Sequence, residues 1–275
     1  MKRLFESTAR LLARTGCLAL ILMVAGCSQN GRAPKTAIVA HRGFWNCEEA
    51  AFSENSIASL RMAQEKHFWG AEFDLQLSAD DTVMVNHNPS IRGMRIANHP
   101  YSDFIECYLP NGERRPTLNE YLDQGAKCKT TMLVIEFKAQ ESEEREDRLV
   151  DLTLEALKAH NLYDPARAMF ISFSLHVCKR IAELAPEFGN QYLSGDLYPE
   201  DLVALGINGW DYHFRVVEEH PDWVARSKEL GLSTNVWTVN KMDPARGFIE
   251  MGVQAITTNE PLMVRQLLGR REKKL

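Results

Sequence analysis

Short apolar runs alternate with amphipathic stretches along the chain from residue 36 onward. The runs predict eight strands, at 36–41, 70–77, 132–138, 168–173, 191–194, 207–213, 233–239 and 255–258. Apolar side chains at helical spacing predict helices at 55–67, 143–160, 175–185, 199–205, 221–230, 243–251 and 260–269. Eight strands that alternate with helices favour an α/β fold of the closed (β/α)8 TIM barrel type over an open doubly wound sheet.

A barrel of this type takes about 250 residues as one domain, which matches residues 36–275. One insertion follows the second strand. Thr82 to Asn86 is an extra strand-like run, and residues from about 88 to 116 are rich in Asn, Pro, Gly and Arg without clean periodicity. Active-site loops of barrels lie at this position, so the insertion is a candidate lid or substrate wall rather than surface padding.

The first 26 residues have the pattern of an export signal. Basic residues precede an apolar run, Cys17 to Ala25, that is shorter than the roughly 20 residues of a membrane span. The run ends in Val-Ala-Gly-Cys27, which resembles a bacterial lipobox, a signal cut before a cysteine that then carries lipid. We therefore expect a membrane-anchored lipoprotein of the bacterial cell envelope, facing the periplasm or the surface, with residues 27–35 as lipidated cysteine and tether. An ordinary secretory signal is the alternative.

The chain is acidic, with a formal net charge of −5 at pH 7, and the basic signal segment makes the rest more acidic still. The charge argues against nucleic acid as a partner, whereas a small anionic substrate stays compatible because a bound metal can invert the local field. Beyond residue 27 the cysteines are Cys47, Cys107, Cys128 and Cys178, which allow three disulfide connectivities in an oxidising envelope. For Cys178 we favour a buried helix position. No zinc-type spacing occurs.

Polar residues stand at the ends of several predicted strands, where barrel enzymes place their catalytic groups. Glu72 and Asp74 are two residues apart on one strand, so both side chains point to the same face. Two inward carboxylates repel each other unless a cation lies between them, and Glu136, at the end of the third strand, is a candidate third ligand. Oxygen ligands favour Ca²⁺ or Mg²⁺.

Each of these groups alone has an ordinary interpretation, such as a salt-bridged pair or a hydrogen-bonded histidine. Together they supply two proton carriers, His41 and His87, three carboxylates for a divalent cation, and two cations, Arg42 and Lys138. That combination suits cleavage of a phosphodiester.

The motifs and their order resemble the glycerophosphodiester phosphodiesterase family. The matching segments, which span about residues 37–263, are His41-Arg42-Gly43, Glu54-Asn55-Ser56, Glu72-Phe73-Asp74, His87-Asn88, Glu136-Phe137-Lys138, Ser172-Phe173, Trp237-Thr238-Val239-Asn240 and Ile256-Thr257-Thr258-Asn259-Glu260-Pro261. The resemblance implies metal-dependent hydrolysis of glycerophosphodiesters to glycerol 3-phosphate and an alcohol. It also implies that the glycerol hydroxyl attacks first, through a cyclic phosphate, and that water attacks second.

The resemblance also implies roles for single residues. Glu72, Asp74 and Glu136 would bind the metal, and Glu54 would assist directly or through water. His41 and His87 would be the general acid and base. Arg42 and Lys138 would stabilise the phosphate charge, and Trp237 would form an apolar wall for the glycerol or the alcohol.

The chain departs from the family pattern at Asn88 and Asn259, where aspartate is usual. Asn88 keeps the hydrogen-bonding capacity and loses the charge, which would weaken metal affinity or shift the pH optimum. Neither position is a residue assigned to the chemistry, so activity is still expected.

Two alternatives stay open at this point. Apolar residues between 91 and 110 are compatible with a lipid-facing wall and hence with a lysophospholipase D-like phosphodiesterase. A non-catalytic binding lipoprotein is the second alternative, although a pure binder needs no second proton carrier. No feature of the sequence indicates a protein partner.

Overall fold

The computed structural model describes residues 36–272, and the side chains as far as residue 269. The strands are β1 (Ala37–Ala40), β2 (Gly70–Leu77), β3 (Val83–Val85), β4 (Ser90–Ile91), β5 (Met94–Arg95), β6 (Met132–Phe137), β7 (Ala168–Ser172), β8 (Gly189–Tyr192), β9 (Gly209–His213), β10 (Ser233–Trp237) and β11 (Ala255–Thr258). Eight of them pair in parallel in the order β1-β11-β10-β9-β8-β7-β6-β2, and β1 also pairs with β2. The sheet is closed, which confirms the predicted TIM barrel.

The helices run over the outside of the barrel, between successive strands. They are α1 (Ile57–Glu65), α2 (Leu118–Gly125), α3 (Glu143–Ala159), α4 (Leu175–Leu184), α5 (Pro199–Ala204), α6 (Phe214–Glu219), α7 (Asp222–Leu230), α8 (Met242–Met251) and α9 (Pro261–Glu272). Serine side chains cap the first turns of α1, α3 and α4, and Thr117 with Glu120 forms a capping box on α2. Helices α2 and α6 were not predicted from the periodicity.

The core has two layers, and strand β6 shows how one strand serves both. Leu133, Ile135 and Phe137 face the helices and belong to the large apolar cluster between strands and helices. Val134 belongs to a smaller cluster inside the barrel with Val39, residues of β7 and β11, and Leu193 directly after β8. This alternation follows from the two-residue period of a strand.

The insertion is more ordered than its sequence pattern indicates. Strand β3 pairs antiparallel with the end of β2, as the extra strand-like run predicts, and β4 with β5 forms a small hairpin. Short 3-10 helices follow at Ile96–Asn98 and Tyr101–Phe104, in addition to one at Glu48–Ala50 near the start of the barrel. Ile91, Ile96 and Phe104 are buried in a separate apolar cluster within the insertion.

The four described cysteines are free thiols, so the structure contains none of the three disulfide connectivities. Cys178 is buried on α4, as we expected. No described helix is long and apolar enough to cross a membrane. The predicted signal segment (1–26) and the lipidated Cys27 with its tether (27–35) lie outside the described residues.

Candidate active site

Strand β2 carries its acidic residues to the carboxyl end of the barrel although they lie in the middle of the strand. Residues Gly70 to Leu75 pair in parallel with β6, and the strand then continues beyond the barrel, where Leu75 to Leu77 pair with β3. Asp74 is level with Glu136 in this register. Both therefore lie at the barrel mouth, which is the position predicted from the sequence.

Glu72, Asp74 and Glu136 form a buried carboxylate cluster. One ligand atom from each lies within 4.8 Å of the others, and the three residues are 1%, 0% and 6% exposed. Burial and the neighbouring Asp74 charge raise the pKa of Glu72 well above its usual value, and the same two causes raise the pKa of Glu136 to about 7. Glu72 Oε1 has no hydrogen-bond partner among the described residues. The cluster therefore fits a divalent cation, which would relieve the repulsion and occupy the free oxygen.

Two basic side chains border the carboxylate cluster. Lys138 Nζ lies 2.8 Å from Asp74 Oδ1 and 2.5 Å from Glu136 Oε1. Burial opposes ionisation of Asp74, but the Lys138 charge lowers its pKa overall. Arg42 Nε lies 3.7 Å from Asp74 Oδ2, and its NH1 group donates to Glu54 Oε2 at 2.5 Å. Glu54 thus pairs with Arg42 and lies outside the carboxylate cluster.

The turn after β1 brings Arg42 into place. Arg42 and Gly43 both have left-handed backbones, with φ of 55° and 77°. The turn directs the backbone N–H of Arg42 to Glu72 Oε2 at 2.6 Å, and the N–H of Gly43 to the carbonyl of Glu72 at 2.9 Å. Glycine suits the second position because the turn packs against α1, where a Cβ would meet Ser59.

The protonation state of His41 follows from its neighbours. Asn259 Oδ1 accepts from Trp45 Nε1, and since an indole N–H only donates, the accepting atom is the amide oxygen. His41 Nδ1, 2.7 Å from the same oxygen, must therefore carry the proton. The other ring nitrogen, Nε2, lies 4.0 Å from Glu72 Oε2 and is unprotonated in the neutral ring. Burial and the Arg42 charge lower the pKa of His41 to about 4, which keeps the imidazole neutral at pH 7.

His87 follows β3, and one contact holds its ring while another holds its backbone. Its Nδ1 lies 3.0 Å from Asn88 Oδ1, and its carbonyl accepts from Gln76 Nε2 at 3.1 Å. Asn88 thus makes the contact through which an aspartate would orient the ring, but without the negative charge. Burial lowers the pKa of His87.

A pocket of about 150 Å³ opens beside the carboxylate cluster, and most of the predicted site residues line it. Those residues are His41, Arg42, Glu72, His87, Glu136, Lys138 and Trp237. Trp237 donates through Nε1 to the carbonyl of Asp211 at 2.9 Å, and its ring meets that of Phe173 edge-on at 5.5 Å. The Trp237–Thr238 peptide bond is cis. Trp237 and Phe173 together give the pocket an aromatic, apolar part.

Two residues with direct roles in this geometry were not assigned from the sequence. Asn55 donates to Asp74 Oδ2 at 2.7 Å and accepts from the Asp74 N–H, and so fixes that carboxylate. Asp211 lines the pocket and is buried. Burial and the Glu136 charge raise its pKa well above the usual value, and its Oδ1 has no hydrogen-bond partner among the described residues. Two sequence features could have identified these residues. Asn55 lies inside the matching Glu54-Asn55-Ser56 segment, and Asp211 is a carboxylate within an otherwise apolar strand.

The sequence profile of the Glycerophosphoryl diester phosphodiesterase family matches residues 41–263. The chain belongs to this family, and it is an enzyme, a phosphoric diester hydrolase. A glycerophosphodiester phosphodiesterase of Caldanaerobacter subterraneus subsp. tengcongensis is 26% identical over 242 residues, which cover 82% of this chain and 95% of that protein.

Solved structures show the same architecture. A glycerophosphodiester phosphodiesterase from Parabacteroides distasonis is 37% identical, with a TM-score of 0.84 over 88% of this chain and 100% of that one. A phosphodiesterase from Oleispira antarctica, solved in complex with the product sn-glycerol-3-phosphate, is 22% identical, with a TM-score of 0.71 over 84% of this chain and 96% of that one. At 22% identity, the similarity to the Oleispira structure shows a shared fold and no more.

The turn at Gly43 gives a test of how tightly the site is built. In Gly43→Ala the new Cβ would lie 2.7 Å from Ser59 Cβ and 2.8 Å from its backbone carbon, in a left-handed backbone. We expect a fall in melting temperature and a loss of most activity, because Arg42 and His41 must shift. Gly93→Ala is the matched control, since its φ is +82° but no atom of the described residues lies within 4 Å of the new Cβ. It should lower the free energy of unfolding by only about 1–2 kcal/mol. Equal effects of the two substitutions on activity would contradict the account.

Proposed function

We propose that the enzyme hydrolyses small glycerophosphodiesters to glycerol 3-phosphate and an alcohol, with a divalent cation held by Glu72, Asp74 and Glu136. The observation that carries the proposal is the buried carboxylate cluster, which lies in one pocket with two imidazoles and has a Glu72 oxygen without a partner in the described part of the chain. The family to which the chain belongs, and the product bound to the Oleispira enzyme, support the substrate class.

The cation, Ca²⁺ or Mg²⁺, would supply charge neutralisation for the phosphate. The protein's own cations act on the same charge. Lys138 and Arg42 both line the pocket and lie against Asp74, so their positive charges remain near the cluster. Fixed charges of this kind stabilise a transition state without rearranging when the charge develops.

His41 and His87 are proposed as the general base and general acid. A phosphodiester needs a proton removed from the attacking oxygen and one delivered to the leaving oxygen. His41 presents a neutral ring whose free Nε2 can accept a proton, since Nδ1 is held by Asn259. His87 lines the same pocket, and in its protonated form, with Nδ1 held by Asn88 Oδ1, the other ring nitrogen can deliver a proton to the leaving oxygen.

The apolar side of the pocket would hold the glycerol. Trp237 and Phe173 offer flat apolar surfaces, and the buried Asp211 carboxyl beside them offers an oxygen to a hydroxyl group. A pocket of about 150 Å³ suits a short polyol rather than an acyl chain. Ile91, Ile96 and Phe104 are buried in the insertion's own cluster, which favours a water-soluble substrate over a lysophospholipid.

We further propose that the enzyme acts in the bacterial envelope, anchored through lipid on Cys27. The support is the basic, then apolar segment that ends in the lipobox-like Val-Ala-Gly-Cys27. The substrate would reach the site from the aqueous side, as deacylated phospholipid.

The activity itself is the first test. Glycerophosphoethanolamine should give glycerol 3-phosphate with added Ca²⁺ or Mg²⁺, and a chelator should abolish the release reversibly. An enzymatic assay for glycerol 3-phosphate measures both. Folded protein that releases none with either metal would contradict the proposal, and full activity after chelation would contradict the metal's part in it.

The role of His41 has a separate test. His41→Ala should lower kcat by about 10²–10⁴-fold, the usual contribution of a general acid or base, while thermal stability and metal binding change little. His99→Ala is the control, because His99 is a partly exposed histidine of the insertion that pairs with Asp103 outside the pocket. Near-normal turnover of His41→Ala would refute the assignment.

A further inference from the structure

A second pocket, of about 260 Å³, lies next to the first and shares Arg42 and His87 with it. Its other walls come from the segment around Phe52 and from the insertion, through Leu109 and Arg115. Since the two pockets meet at His87 and Arg42, a phosphodiester bound there would have room for one ester group in each pocket.

Arg115 is the unusual residue of this pocket. Its NH1 group donates to Asn86 Oδ1 at 2.5 Å, but its buried Nε has no hydrogen-bond partner among the described residues. Within residues 36–269, no carboxylate forms an ion pair with its guanidinium. Burial, together with the nearby Arg92 charge, lowers the pKa of Arg115. A partly buried cation without a counter-ion is costly unless a ligand supplies the charge.

The charges that face the pocket do not neutralise Arg115. Among the described residues that line it, Glu54 is the only carboxylate, and Arg42 holds that carboxylate at 2.5 Å. With Arg42 and Glu54 paired, Arg115 leaves the pocket with an excess of positive charge, in a chain whose net charge is −5. Such a pocket attracts an anionic group and disfavours a purely cationic one.

We propose that the second pocket holds the alcohol part of the substrate and that Arg115 binds a carboxylate on that alcohol. The inference rests on the proposed function and adds a substrate class: glycerophosphodiesters whose head group carries an acidic group. A guanidinium suits this role because it offers several N–H donors in a fixed plane that matches a carboxylate.

Arg115 also has a structural contact that the test must separate from specificity. Asn86, which accepts from Arg115, donates to the carbonyl of Asn88 at 2.7 Å, and both residues flank His87. If Arg115 only supported this loop, its loss would slow every substrate by the same factor. If it binds the head group, its loss changes the ratio of kcat/KM values between substrates.

The experiment compares glycerophosphoserine with glycerophosphoethanolamine, which differ by one carboxylate. The wild-type enzyme should have the higher kcat/KM on glycerophosphoserine. Arg115→Gln should lower the ratio of the two values by about tenfold, as expected for a lost hydrogen bond to a charged group. Arg115→Lys, which keeps the charge, should retain part of the preference. Arg114→Gln is the matched control, since Arg114 is exposed and does not line the pocket, and it should leave the ratio unchanged.

Two results would overturn the inference. One is a wild-type preference for glycerophosphoethanolamine or none at all, and the other is a wild-type ratio in Arg115→Gln, whether both activities fall equally or neither falls. The first is measured without any variant and so decides the matter even if Arg115→Gln does not fold. Hydrolysis of neither substrate by the wild type would instead refute the proposed function.

Discussion

The electrostatic balance around three buried carboxylates is the constraint on which the rest of the site depends. One carboxylate oxygen each of Glu72, Asp74 and Glu136 lies within 4.8 Å of the other two, and the three residues have almost no contact with solvent. Lys138 compensates part of this charge through Asp74 and Glu136, and one oxygen of Glu72 has no partner within residues 36–269. Burial of like charges at this distance is costly, so the arrangement is consistent with a site whose charge is completed by a bound cation.

The barrel brings these groups together because parallel strands end at the same rim. The register of β2 and β6 sets Asp74 beside Glu136, and the turn after β1 directs the N–H of Arg42 to Glu72. The same turn is stabilised by Asn55, whose backbone N–H bonds the carbonyl of Arg42 and whose side chain holds Asp74. The site is thus fixed largely by backbone geometry and by short contacts between neighbouring strands.

Much of this could be predicted from the sequence because the information is local. Strand periodicity gave the barrel, and the two-residue spacing of Glu72 and Asp74 placed both on one face. Helix α2 was missed because it has only 8 residues and follows an irregular insertion. His41 contacts Asn259, which lies 218 positions away in the sequence, and Arg115 contacts Asn86, which lies 29 positions away. No local pattern encodes such pairs, so the tautomer of His41 and the second pocket required the structure.

Binding of a divalent cation to the carboxylate cluster is the central claim, and calorimetric titration of chelator-treated protein with Ca²⁺ and Mg²⁺ tests it most directly. We expect one site per chain, with an affinity loss in Glu72→Gln and Glu136→Gln at least as large as the roughly 10–100-fold caused by removing an outer-shell partner. The exposed Glu49→Gln variant should bind normally. Folded wild-type protein that binds neither ion, or binding that survives both cluster substitutions unchanged, would contradict the account.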